Sequence, residues 1–90
     1  MLMKVNKLKV VAPHKLYAEF SNGARGTHDF AAMVGETGPM IEPLRDPSYF
    51  AQAFLEFGAP TWPNGFDMAP DWLHDEMKMA GELTPAVAAE

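Results

Sequence analysis

The chain has 90 residues, 48% of them apolar, no cysteine and a formal net charge of −5. A chain of this size builds one domain around one modest core, burying roughly 60–65% of its unfolded surface. The composition excludes disulfides, thiolate metal sites and thiol nucleophiles, argues against disorder, and disfavours the chain on its own as a nucleic-acid binder.

Residues 5–12, VNKLKVVA, alternate. Leu8, Val10 and Ala12 fall on one face with Lys7 and Lys9 on the other, the pattern of a half-buried strand. Pro13 and His14 interrupt it. Residues 16–20 alternate again, with Leu16, Ala18 and Phe20 on one face, and a Ser-Asn-Gly turn signal follows. Parity decides the register of this hairpin. A two-residue Asn22-Gly23 turn pairs Phe20 with Arg25 and Leu16 with Asp29, setting an apolar face against a polar one. A three-residue loop, Ser21-Asn22-Gly23, pairs Phe20 with Ala24, Ala18 with Gly26 and Leu16 with His28, and leaves Phe30 on the same face. We therefore expect a type I turn with a left-handed Gly23, a third strand over residues 24–30, and a half-buried His28.

Residues 29–34 fit one helical turn capped by Asp29, followed by a loop over residues 35–39. Met40, Ile41 and Leu44 are expected to anchor the next segment in the core. Asp46-Pro47 is a strong helix start and predicts a short helix over 47–52 that presents Tyr49, Phe50 and Ala53. The segment AFLEF, 53–57, either extends that helix or forms a strand closed by Gly58-Ala59 onto residues 60–63. Two breakers at short spacing favour the strand. Asn64-Gly65 turns the chain again, and Pro70 opens a helix over 70–80 with Leu73, Met77 and Ala80 at core spacing. Gly81 ends it. The expected fold is α+β: a small antiparallel sheet of hairpins, about four or five strands, with two short helices. The domain is expected to span residues 1–81, with 82–90 a loose tail or one that docks on a partner.

Few residues group into chemistry. Asp67, Asp71, His74 and Asp75 are the nearest approach to a metal cluster, yet no defined metal motif is present, and acids at a helix start are favoured by its dipole. His28-Asp29 resembles a base with its orienting acid. The available hydroxyls (Ser21, Thr27, Ser48, Thr61, Thr84) lie outside any nucleophile-elbow context, so a core-face histidine is the preferred reading. SNGARGTHDF lacks the lysine and the strand-to-helix setting of a phosphate loop. No catalytic, cofactor-binding or metal residue is assigned, no cofactor is expected, and no enzyme is expected. Trp62, Asp67 and Trp72 crowd into TWPNGFDMAPDW, and together with Tyr49 they are the candidate partner-binding residues. Positive charge is concentrated early, at Lys4, Lys7, Lys9, Lys15 and Arg25, and acids dominate afterwards. Solvated strand faces explain this most simply; charge-steered pairing is the sharper alternative.

The hairpin LYAEFSNGARGTHDF, the segment EPLRDPSYFAQA and above all TWPNGFDMAPDWL together resemble the bacterial DUF2442 family, a domain of unknown function. The resemblance runs over residues 5–73. One departure is Leu73-His74, where the family pattern has leucine followed by an aromatic. The resemblance implies a compact α+β fold with antiparallel hairpins, no known enzyme activity and no established active site. It also implies likeness to the partner members of small toxin–antitoxin-like gene pairs, and longer relatives carry a helix-turn-helix domain that this chain is expected to lack. With no apolar run suited to a signal peptide or a membrane span, the expectation is a cytoplasmic protein, by elimination bacterial or of mobile-element origin. We expect a non-enzymatic, antitoxin-like protein-interaction module that binds another protein or itself as a homodimer, with no membrane contact. The alternatives are a nucleic-acid-linked regulator using the basic N-terminal hairpin and a small-ligand binder.

Overall fold

Three strands early in the chain form one antiparallel sheet in the order β1-β2-β3: Val5–Ala12, Lys15–Phe20 and Arg25–Asp29. They are seen in a computed structural model that describes residues 3–85. The loop between β2 and β3 is the one that parity requires. Leu16 pairs with His28 and Ala18 with Gly26. Phe20 N–H donates to the Ala24 carbonyl at 2.8 Å, Gly23 N–H donates back to the Phe20 carbonyl at 2.9 Å, and Gly23 sits at φ +89°. Asn22 completes the turn by accepting from the Ala24 N–H at 3.0 Å.

Simple alternation fails in β1. The register shifts between Val5 and Lys7 and again between Val10 and Ala12, so Asn6 and Val11 are extra residues. Each bulge reverses parity. Val5, opposite Phe20, joins Leu8 and Val10 on the core face, whereas Ala12, opposite Lys15, is turned to the other face. That outer face carries Lys7, Lys9, Lys15 and Arg25. Glu19 stands between Lys7 and Arg25, and Asp29 stands opposite Lys15. The basic start of the chain is thus the solvent face of a sheet, partly neutralised by its own cross-strand acids.

Residues 54–56 are a strand, not a helix: β4, Phe54–Glu56, pairs with β5, Ala59–Thr61. Their turn is Phe57-Gly58, one residue earlier than expected, with both residues at positive φ (52° and 80°) as a two-residue hairpin loop demands. The Gly58 carbonyl accepts from the Val5 N–H at 2.8 Å and joins the second hairpin to the start of β1. Past β5 the chain repeats the earlier loop. Trp62 N–H donates to the Phe66 carbonyl at 2.8 Å, Gly65 N–H to the Trp62 carbonyl at 2.9 Å, and Asn64 Oδ1 accepts from Phe66 N–H at 3.0 Å. Ser-Asn-Gly and Pro-Asn-Gly therefore build the same turn twice.

Helices are short. The helix α1, Ala31–Val34, is one turn, and Asp29, one residue ahead of its cap position, accepts from the Ala31 N–H at 2.9 Å. A 3-10 helix, Glu42–Arg45, follows. Leu44 enters the core as expected, but Met40 is exposed because it precedes this turn. Asp46 caps α2, Pro47–Phe50, by accepting from Ser48 N–H at 2.9 Å. The longest helix is α3, Pro70–Met79. Gly81, at φ +73°, ends it with two reverse bonds, Gly81 N–H to the Lys78 carbonyl and Glu82 N–H to the Met77 carbonyl. Ala80, expected in the core, is the exposed cap of that helix instead.

The core joins Val5, Leu16, Ala18 and Phe20 of the sheet to Phe30, Leu44, Phe50, Trp62, Leu73 and Met77. Rings run through it in contact, from His28 to Phe30, Phe50, Trp62 and Phe66, at centroid distances of 4.7 to 5.8 Å. Full burial of each large apolar side chain stabilises the fold by roughly 1.5–3 kcal/mol, and Phe30, Phe50 and Trp62 of this line are fully buried. Residues 82–84, expected in a loose tail, are instead held against β3. Arg25 and Thr84 exchange backbone bonds at 3.0 and 2.8 Å. Gly26 makes this approach possible, because a Cβ there would collide with the Glu82 carbonyl. The end of the expected tail, 86–90, lies outside the described residues. Among the described residues, no helix is long and apolar enough to cross a membrane.

Candidate functional site

An open groove of about 520 Å³ is walled by α1, the loop after it, the 66–69 segment and the first turns of α3. Its apolar lining is Met33, Ile41, Phe66, Met68 and Trp72. Four carboxylates also line it, those of Asp29, Glu36, Asp67 and Glu76, and no lysine or arginine does. Among the described residues, none of the four is in an ion pair.

Local chemistry explains the walls. Arg45 donates from Nε to the Val34 carbonyl at 2.7 Å and from Nη2 to the Glu36 carbonyl at 2.8 Å, fixing the loop that follows α1. Asn64 Nδ2 donates to the Met40 carbonyl at 3.1 Å, tying the opposite wall to the same loop. Trp62 lies against Phe66, with ring centroids 5.8 Å apart, and stiffens that wall from behind. The groove is thus preformed by side chains that stand outside it.

The expected partner-binding residues separate. Asp67 and Trp72 both line the groove, and Trp72 is 43% exposed. Trp62 is 0% exposed, and its Nε1–H donates to the Phe50 carbonyl at 3.0 Å. It is a core residue, so it is withdrawn from the candidate surface. Tyr49, on α2, is half-buried against the core and does not line the groove. Sequence reasoning missed Met33, Glu36, Phe66, Met68 and Glu76 as lining, and expected Ile41 in the core rather than in the groove. Only the Met33 and Phe66 side chains offered a signal, as apolar groups in segments too short to bury them fully.

The histidines are all engaged structurally. His14 occupies the β1–β2 turn at φ +60°, and its Nε2 lies 3.0 Å from the carbonyl oxygens of both Leu44 and Arg45. Its ring meets the edge of Phe50. His28, half-buried on the core face as expected, has Nδ1 2.6 Å from Glu82 Oε1. His74 Nε2 accepts from the Asn22 amide at 3.1 Å, and its ring packs on Phe20. Among the described residues, no group of three or more His, Asp or Glu side chains is placed to hold a metal ion, and Asp67, Asp71, His74 and Asp75 do not converge. Tyr17 has a perturbed acidity. Its hydroxyl donates to Glu19 Oε2 at 2.6 Å, and that bond, with smaller help from burial and the Glu19 charge, raises the phenol above its ordinary value.

Fold and site define a small α+β protein of two hairpin sheets with one acid-rimmed apolar groove. The chain belongs to the family described as protein of unknown function (DUF2442), whose model matches residues 5–78 and so takes in every residue of the groove. Comparison with curated proteins and with solved structures found no match.

Proposed function

We propose that this protein is a non-enzymatic interaction module that binds a partner protein through the groove between α1 and α3. The groove carries the reading: an exposed tryptophan and four other apolar side chains sit together in a preformed concavity. Each histidine ring already has a structural partner, His14 the Leu44 carbonyl, His74 the Asn22 amide and His28 the Glu82 carboxylate, which supports a non-catalytic role. With the family resemblance, this describes a cytoplasmic, antitoxin-like member of a bacterial or mobile-element gene pair, with the product of the adjacent gene as first candidate partner. Light scattering of the protein, alone and mixed with that product, tests it. The expected result is a stable heterocomplex or homodimer. A strict monomer that ignores its neighbour contradicts it.

The outer face of the three-stranded sheet favours a second reading. Lys7, Lys9, Lys15 and Arg25 share it, which suits a regulator that contacts nucleic acid. A mobility shift on the protein's own promoter, fading as salt rises, would support this. No shift at low salt would rule it out.

A further inference from the structure

We propose that the groove takes a basic amphipathic segment of the partner, with an apolar side chain seated on Phe66 and Trp72 and lysine or arginine side chains reaching Asp67, Glu36 and Glu76. This rests on the interaction-module reading and adds the chemistry of the occupant. Three observations carry it. The floor is apolar and contains two methionines, Met33 and Met68, whose unbranched side chains adapt to an incoming group. The rim carries four carboxylates and no lysine or arginine, and His28, which also lines the groove, is already hydrogen-bonded to Glu82. Unpaired like charges around a low-dielectric surface repel one another and focus a negative field into the groove, and a cationic ligand relieves that repulsion on binding. An acidic segment would add to the repulsion, and a purely apolar one would leave the carboxylates facing a drier surface without partners.

The full chain is titrated by calorimetry with a synthetic peptide in which leucine and lysine follow helical spacing, and with its leucine–glutamate counterpart. The Leu–Lys peptide is expected to bind, and the Leu–Glu peptide is not. Because the whole chain is acidic, two charge-matched double variants separate the groove from bulk attraction. Glu36→Lys with Asp67→Lys alters the rim; Glu42→Lys with Glu56→Lys makes the same net change outside the groove. Rim reversal is expected to weaken binding at least about tenfold, and Trp72→Ala by a similar factor, while the outer variant stays within about twofold of the parent. All four charged sites are exposed, and circular dichroism melting verifies that each variant folds. Equal weakening by the two double variants overturns the proposal, as does equal binding of the two peptides. A homodimer broken by rim reversal also overturns it, with a second copy as the occupant. Should the adjacent-gene product bind without being displaced by the Leu–Lys peptide, the interaction module stands and the basic occupant fails.

Discussion

Trp62 and Trp72 have opposite fates, and their local chemistry says why. Trp62 follows β5 directly and meets Phe50 by ring contact and by the Nε1–H bond to its carbonyl. Trp72 sits one residue before Leu73, about 100° round the helix from the Leu73/Met77 stripe that enters the core. From sequence the two tryptophans were treated alike; helical spacing sets Trp72 off the core stripe, whereas nothing in the local pattern requires Trp62 to be fully buried. Trp62→Phe removes the indole donor from a buried carbonyl and leaves a small void. It is expected to lower stability by about 1–3 kcal/mol in urea unfolding, while Trp72→Phe changes it by no more than about 0.5 kcal/mol. Tyr17 gives a pH-dependent expectation. Its phenol is held above the ordinary value by its bond to Glu19. The folded state thus binds that proton more tightly than the unfolded chain, so the stabilisation is full below the unfolded tyrosine value and is lost as pH rises through the folded one. In a Tyr49→Phe background, absorbance titration should show one phenol ionising above about 10. Glu19→Gln should bring it down.

One strand position and one hairpin tip show how elements are fixed by single residues. Gly26 lies on the core face of β3, where a Cβ would strike the Glu82 carbonyl and lie 3.2 Å from the Met77 side chain. Gly26→Ala is expected to expel residues 82–84, break the His28–Glu82 contact and speed amide exchange at Arg25 and Thr84, with the β1–β2 hairpin unaffected. Phe57 is 94% exposed at φ +52°, a conformation that suits asparagine or glycine far better than an aromatic residue. Phe57→Asn is expected to stabilise the isolated protein by about 0.5–1 kcal/mol, seen as a higher melting temperature. A lower melting temperature would mean that the ring makes contacts in the folded protein after all. The hairpin of residues 16–30 was legible because, of the two registers its turn allows, one keeps the apolar faces of its two strands together. The bulges at Asn6 and Val11 were not, since strict alternation also gave β1 an acceptable apolar face. The docked segment 82–84 had one legible sign, a glycine at a core-facing strand position, which marks close backbone approach.

Across the whole molecule, the residues that carry the family resemblance are mostly joints. Arg45 ties the loop after α1, Asp46 caps α2, Asn64 and Gly65 make a turn and bridge to Met40, and Pro70 opens α3. They bring together residues 29–41 and 66–76, far apart in sequence, to form the groove. That separation is why the groove was not legible as a site, although Asp67 and Trp72 were singled out individually. Charge is likewise divided in space, with a partly compensated basic sheet face and an acidic groove at which Glu36, Asp67 and Glu76 have no cationic partner among the described residues; Asp29 stands at the border of the two. The groove and the basic face compete as binding surfaces, and hydrogen–deuterium exchange on the protein bound to its adjacent-gene product separates them. Slowed exchange is expected at amides of residues 31–41 and 66–76, with β1 and β2 unchanged. Protection of β1 and β2 with no change around Met33, Phe66 and Trp72 would contradict the groove as the partner site.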